Sequence, residues 1–463
     1  MRFSSVDIAT CRFLQCQAVF VFQTKLDPSQ LEEAFQRLLM EWPDLRARVN
    51  LQWTGSCPSA DTAGHWQSRV IDAPLRDCVS LDQMTEQELE PSEYARLEQL
   101  FRFGWSLRSL LFPPVLRVKA VHFRDGCILK FILQHVFSDT SGLYRILSAY
   151  TAILRGETID PIVEEPRPSK IVFKPPEETS SALYTHEPLG SRLHESTTKH
   201  WASGWLGNII FALWHWLVRA TFAYKPRARR AMHIPGAAVD RLHDRAAQQG
   251  LAVTRHDLVM AIIAQAALQA YPHLHPAAIA FVYNFRRHLD QPVQLQNTSW
   301  LVSIPLPTRP NKPIMLDDSD DDDDEEEDED DRLLMLASCV RDAVRTVRTP
   351  ECLELFRQAH TAMGPWRPFR PALRHPNHPN TLVSSSSQLP WYSLCFGGGP
   401  ETRPLYASMA IGLVDLWGFI GLSVHDWILT SKDREDRGYF LYGSLHVEHW
   451  AQLRRGCARL VGG

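Results

Sequence analysis

The amino-acid sequence predicts a two-domain α/β protein, and three observations support this. A chain of 463 residues, 44% of them hydrophobic, is long enough to form two hydrophobic cores. Segments with strand and helix periodicity occur in both halves, mixed and not strictly alternating. A stretch rich in Pro and charged residues at 175–199 separates the halves. We therefore predict a first domain at 1–185, a crossover at 186–228 and a second domain at 229–463, each domain a mixed sheet flanked by helices.

The pattern of the first half predicts a strand at 18–22, a helix at 28–41, two strands within 113–132 and a helix at 143–154. Asp27 is the expected N-cap of the first helix, and Gly156 ends the helical pattern of the second. Asp125 and Gly126 lie between alternating apolar segments, which is typical of a hairpin turn.

The second half repeats this layout, with predicted strands at 231–234, 279–284 and 438–446 and predicted helices at 236–249, 255–270 and 447–455. Thr254 and Asp257 have the spacing of a capping box at the start of the second of these helices.

Most of the negative charge is concentrated in one run. The formal net charge is −4, but Asp317 to Asp331 alone contribute fourteen negative charges, so the rest of the chain carries about +10. A mildly basic body suits a phosphate-bearing ligand, and a solvated surface of mixed charge explains it equally well. Adjacent like charges repel and the run has no apolar residue to bury, so we predict a disordered surface loop at 309–332. A partner-binding or metal-collecting tail is the alternative.

The nine cysteines indicate reduced thiols in an intracellular, cytoplasmic protein, because their number is odd and no CxxC pair occurs. No signal peptide is recognisable at the N-terminus. We expect no metal site, since the two nearest ligand clusters lack a third partner at useful spacing. These clusters are His446 with His449, and His273 with His275.

The apolar stretch at 201–224 has an uninterrupted part of about ten residues, at 209–218, which is half of what a spanning helix needs. We expect a crossover helix that is buried or covers the substrate entrance. Weak contact of 205–222 with a membrane surface is the alternative.

His135 and Asp139 are the leading candidates for chemistry. They lie in the segment QHVFSDTSG, after a predicted buried strand and before a predicted helix. Strand ends and the loops that follow them are where α/β folds place catalytic groups. A histidine there, with a carboxylate four residues on, is typical of a general base and a group that holds its loop. A lone histidine at a strand end is more often structural.

This segment resembles the HxxxDG motif of the BAHD acyltransferases, in particular the fungal secondary-metabolite branch. The sequence CFGGGP at 395–400 is similar to the second family motif, DFGWG, and 384–392 is similar to its lead-in. Further segments match in order at 4–7, 31–49, 254–257 and 284–287. The matches extend over nearly the whole chain.

The resemblance implies two chloramphenicol-acetyltransferase-like domains with a channel between them, and His135 as the general base. It also implies that Asp139 pairs with Arg286, and that Ser386 stands where relatives have a tryptophan that supports the oxyanion. It assigns a structural role to a loop containing Cys395, Phe396, Gly397 and Gly399. Acyl-coenzyme A is the implied co-substrate, with no bound cofactor.

Besides Ser386, three positions depart from the family pattern, namely Thr140, Cys395 and Gly398. The leading hypothesis is transfer of an acetyl or other short acyl group from acyl-coenzyme A to a hydroxyl of a secondary metabolite, by a monomer that binds no nucleic acid. Transfer from a carrier-protein thioester is the alternative, although Gln134 replaces the first histidine of the doubled HH usual in such domains. A family member that binds a ligand or partner without turnover is the third hypothesis.

Overall fold

The computed structural model describes residues 14–50, 56–57, 64–81, 91–101, 111–162, 227–270, 278–288, 299–305, 322–349, 381–413 and 427–462, together with residues 59, 62, 295, 297 and 351. The expected crossover segment at 201–224, the matching segment at 4–7 and the histidines at 273 and 275 lie outside these residues.

The described strands are β1 (Leu14–Phe22), β2 (Arg48–Val49), β3 (Ser56–Cys57), β4 (Trp66–Val70), β5 (Leu116–His122), β6 (Cys127–Gln134), β7 (Arg227–Ile234), β8 (Ala278–Asn284), β9 (Ser299–Pro305), β10 (Leu382–Ser385), β11 (Tyr406–Leu413), β12 (Trp427–Lys432) and β13 (Tyr439–His446). The described α-helices are α1 (Pro28–Glu41), α2 (Leu75–Cys78), α3 (Pro91–Leu100), α4 (Thr140–Leu154), α5 (Gly236–Gln248), α6 (Arg255–Ala270), α7 (Asp322–Val347) and α8 (Val447–Gly462).

The strands form two mixed sheets and a small two-stranded sheet of β2 and β3. The first has the order β11-β1-β6-β5-β4, and the second has the order β7-β13-β12-β10-β8-β9. The predicted hairpin joins β5 to β6, with His122 opposite Cys127. Helices α1 and α4 cover the first sheet, and the Tyr150 hydroxyl of α4 donates to the Leu31 carbonyl at 2.8 Å. Burial raises the pKa of Tyr150, so this hydroxyl stays protonated and keeps its bond.

Strand β11 lies in the first sheet, although it belongs to the second half of the sequence. It pairs antiparallel with β1, with Leu14 opposite Leu413 and Val21 opposite Tyr406. The predicted domain limits at 229–463 therefore do not follow the sheets, because part of the later segment completes the first one. An antiparallel edge strand is chosen by tertiary contacts, so sequence periodicity cannot place it.

The two sheets share part of one core. Trp427, Leu429, Phe440 and Tyr442 of the second sheet belong to the same buried cluster as the first sheet. The Tyr442 hydroxyl donates to the carbonyl of Ala407 on β11 at 2.8 Å. Helices α5, α6, α7 and α8 and the opposite face of the second sheet form a second core.

The prediction of disorder at 309–332 is wrong for its later part, since α7 begins at Asp322. The reason is tertiary. Arg245 donates to Asp330 at 3.2 Å and to Asp331 at 3.1 Å, and Gln249 donates to Asp331 at 2.9 Å. Carboxylates near a helix N-terminus also interact favourably with the helix dipole. Residues 309–321 lie outside the described part of the chain.

Several element ends also differ from expectation. Strand β7 begins at Arg227, inside the predicted crossover, and α8 continues to Gly462. No helix among the described residues is long and apolar enough to cross a membrane.

Candidate active site

The loop after β6 places His135 at the end of a buried strand. The His135 amide donates to the Leu14 carbonyl at 2.9 Å, and the Phe137 amide donates back to the Gln134 carbonyl at 2.8 Å. Val136 and Phe137 are buried, at 0% and 4% exposure, whereas His135 itself is partly exposed. Apolar neighbours therefore anchor the turn, while part of the His135 surface stays exposed.

Asp139 is the N-cap of α4, and its carboxylate accepts from the Gly142 amide at 2.9 Å. The same carboxylate meets Arg286, whose Nη2 lies 3.0 Å from Oδ1 and 3.1 Å from Oδ2. Asp139 is 3% exposed, so the ion pair is shielded from solvent on the carboxylate side. The structure thus brings together two of the candidate residues that lie 147 positions apart.

Two asparagines of the second half also hold this loop. Asn284 Nδ2 donates to Ser141 Oγ at 3.0 Å, and Asn297 Nδ2 donates to the His135 carbonyl at 2.7 Å. Neither was singled out from the sequence. Asn284 is close in sequence to Arg286, which was a predicted site residue, whereas Asn297 lies in a stretch without a motif. Three side chains of the second half therefore contact the loop that carries His135.

Gly142 explains why the loop tolerates threonine at position 140. A Cβ at Gly142 would lie 1.8 Å from Ser138 Oγ and 3.2 Å from the Leu295 carbonyl oxygen. Thr140 is the first residue of α4, is partly exposed, and places its hydroxyl 3.9 Å from Cys16 Sγ. Within this motif, the close approach that requires glycine is therefore at position 142 and not at position 140.

We expect Gly142→Ala to lower the free energy of unfolding by about 1–3 kcal/mol, the usual cost of overpacking a filled site. Urea denaturation measures this. Gly398→Ala is the matched control, because a Cβ at Gly398 would meet nothing within 4 Å. Adding Ser138→Ala to Gly142→Ala should recover much of the loss, since the Ser138 hydroxyl makes no hydrogen bond within the described structure. A Gly142→Ala protein as stable as the parent would contradict this packing argument.

The glycine-rich loop is a packing element. Phe396 is 2% exposed, and its ring centroid lies 4.9 Å from that of Phe22 and 6.1 Å from that of Tyr150. Tyr150 is ten residues along α4 from Thr140, which corresponds to about 15 Å of helix. The loop therefore lies far from the end of α4 that borders His135.

The other residues of this loop make local contacts. Arg403 Nε lies 3.3 Å from Cys395 Sγ. A Cβ at Gly397 would lie 2.8 Å from Thr402 Cγ2, and one at Gly399 would lie 2.2 Å from a Glu401 carboxylate oxygen. These local contacts are consistent with the structural role that the resemblance assigns to the loop.

Ser386 lies where its hydroxyl is already used. The side chain is 1% exposed, and both its amide and its hydroxyl donate to the Thr430 carbonyl, at 2.8 Å and 3.2 Å. These bonds extend the pairing of β10 with β12. The geometry therefore does not support the expectation that Ser386 stabilises an oxyanion, because its proton points into the sheet.

Within the described part of the chain, no group of three or more His, Cys, Asp or Glu side chains is placed to hold a metal ion. His446 Nδ1 accepts from the Glu448 amide at 3.1 Å, a local contact at the start of α8.

No family model matches the sequence, and no curated protein is significantly similar to it. Solved structures are similar over nearly its full length. Vinorine synthase, a BAHD acyltransferase, is 15% identical with a TM-score of 0.62, covering 99% of this chain and 93% of its own. The chain has the fold of a BAHD-type acyltransferase. The predicted pair of chloramphenicol-acetyltransferase-like domains is thereby confirmed.

Two further similar structures contain ligands. TRI101 of F. sporotrichioides, in complex with coenzyme A and T-2, is 14% identical with a TM-score of 0.64 and covers 98% of this chain and 96% of its own. TRI101 of F. graminearum, in complex with coenzyme A and deoxynivalenol, is 13% identical with a TM-score of 0.63. The match covers 98% of this chain and 97% of the TRI101 chain. The first condensation domain of the CDA synthetase has the same architecture, with a TM-score of 0.52 and 11% identity. The match covers 99% of this chain and 96% of the condensation-domain chain.

Proposed function

We propose that this protein transfers an acyl group from acyl-coenzyme A to a hydroxyl of a secondary metabolite, with His135 as the general base. The observation that carries the proposal is the arrangement of the His135 loop. A partly exposed imidazole sits on a turn that three side chains of the second half hold in place. The fold is shared with an acetyltransferase that was crystallised with coenzyme A and an acceptor.

The chemistry needs one base and no covalent enzyme intermediate. The His135 imidazole removes the proton of the acceptor hydroxyl while that oxygen attacks the thioester carbonyl carbon. The tetrahedral intermediate collapses, the carbon–sulfur bond breaks, and the thiolate takes the proton from the imidazolium. The products are an ester and free coenzyme A. The sequence contains no GxSxG nucleophile elbow, which is consistent with direct transfer.

Side chains of the second half hold the His135 loop in position. Asn297 fixes the backbone carbonyl of His135, and Arg286 fixes Asp139 at the start of α4. A displacement of about 1 Å in a catalytic group can cost about a hundredfold in rate, so such contacts matter for turnover.

Transfer from a carrier-protein thioester is a second candidate, favoured by the similarity to a condensation domain. Gln134 in place of the first histidine of a doubled HH favours the free coenzyme. A third candidate is a protein that binds without turnover.

One assay separates the three. The protein is incubated with acetyl-coenzyme A and a metabolite extract, free thiol is followed with a thiol reagent, and acetylated products are sought by mass spectrometry. We expect thiol release that depends on the extract. Thiol release only from an acyl carrier protein would favour the second candidate. Absence of consumption with either donor, while the protein remains folded, would favour binding without turnover.

A further inference from the structure

A cavity of about 250 Å³ lies in the second half between α6, α7 and α8, away from the His135 loop. Its apolar lining consists of buried side chains, among them Ile262, Ala266 and Leu453, at 3%, 3% and 0% exposure. Polar side chains make up the other half of the lining: Gln265 and Gln269 from α6, Glu329 from α7, and Gln452, Arg455 and Arg459 from α8. Small-molecule sites combine an apolar lining with convergent polar groups.

Gln265 is the first sign that the cavity is built for a ligand. Its side chain is 7% exposed and lines the cavity. Most buried polar groups in proteins have a hydrogen-bond partner. A bound molecule with a polar atom would be such a partner for Gln265.

Gly456 is the second sign. It lies inside α8 and lines the cavity, and a Cβ placed on it would meet nothing within 4 Å. Glycine in a helix interior is less stable than alanine. No contact requires glycine at this position, so the helix gives up stability where a side chain would enter the cavity.

The contacts of Glu329 indicate which polar group a ligand of this cavity would carry. Its carboxylate, from the acidic run on α7, accepts from Gln269 Nε2 at 3.2 Å and contacts the guanidinium of Arg459. Guanidinium groups bind carboxylates with two parallel hydrogen bonds. The chain therefore holds a carboxylate of its own on the cationic side of the cavity.

We propose that this cavity binds a small carboxylate with an unbranched apolar tail. The ligand head replaces Glu329 on Arg459 and Gln269, and the tail lies against the apolar lining. The volume is below the roughly 300–1,000 Å³ of pockets for drug-sized ligands, so a short- or medium-chain acid fits. The end of the acidic run then acts as a competitor for the site. This inference is independent of the proposed catalytic function.

Isothermal titration of the full chain with sodium octanoate tests the proposal, with octanol as the neutral analogue. We expect saturable octanoate binding and at least tenfold weaker binding of octanol. Glu329→Gln should bind octanoate about tenfold more tightly, because it removes the competing negative charge. Arg459→Gln should bind at least tenfold more weakly. Gly456→Leu should lose binding and remain folded, because its side chain fills open space.

Arg245→Gln is the matched control. Arg245 pairs with Asp330 and Asp331 of the same acidic segment but does not line the cavity, so octanoate affinity should not change. Thermal unfolding confirms that each variant is folded. The proposal is overturned by either of two results: no octanoate binding to the parent and to Glu329→Gln, or binding that folded Gly456→Leu leaves intact. The first result would identify the cavity as a packing gap covered by Glu329.

Discussion

Replacing His135 by alanine should abolish acyl transfer and leave the fold intact. General-base catalysis is typically worth about 10²–10⁴-fold, so kcat/KM for thioester consumption should fall by at least about a hundredfold. The fold should survive because two backbone hydrogen bonds hold this residue in its turn, and both remain in the variant. Its amide donates to Leu14, and its carbonyl accepts from Asn297.

His243→Ala is the matched control for this experiment. His243 lies on α5 in the second half and is also partly exposed, so its removal should change neither rate nor stability. The rate is measured by thiol release, and the free energy of unfolding by urea denaturation. A His135→Ala enzyme with more than about a tenth of the parent activity would rule out His135 as the base.

Breaking the pair of Asp139 and Arg286 should have the largest effect on stability. Arg286→Ala leaves the Asp139 carboxylate buried without its cation, and removal of one partner of a buried pair typically costs about 3–5 kcal/mol. Asp139→Ala should cost toward the lower end of that range, because the Arg286 side chain retains 22% exposure. Activity should fall in both variants, since the base loop loses its anchor.

A double-mutant cycle separates the pair from the helix cap. Asp139→Ala also removes the bond from the Gly142 amide, and loss of such a cap costs about 1 kcal/mol. Asp139→Asn keeps an N-capping side chain and removes only the charge, so it serves as the control. The double alanine variant should lose less than the sum of the single losses. Strictly additive losses would mean that the two residues do not interact in solution.

The sequence alone determined the local structure of this protein. Asp27 accepts from the Ser29 and Gln30 amides at the start of α1, at 2.8 Å and 3.3 Å. The Thr254 amide donates to Asp257 at 2.7 Å, and Gly156 takes a positive φ of 78° after α4. Each of these features depends on residues within a few positions of one another, so the chain needs no distant partner to form them.

The candidate site was predictable only in part. His135 and Asp139 lie within one short motif, and resemblance to a family pointed to Arg286. The bonds of Asn284 and Asn297 to the same loop span 143 and 162 positions, and no local pattern marks them. Position along the chain also could not show that the Ser386 hydroxyl bonds to Thr430, 44 residues away.

Only the tertiary structure decided which distant segments meet. Strand β11 completes the first sheet by pairing with β1, although nearly four hundred residues of chain separate the two strands. The last residues of the acidic run lie in α7, where Arg245 of α5 and Arg459 of α8 pair with Asp330, whereas in isolation adjacent acidic charges repel. Periodicity and capping report interactions within one or two turns of chain. The free energy that places an edge strand, orders a charged run or joins Asp139 to Arg286 comes from groups that only the folded chain brings together.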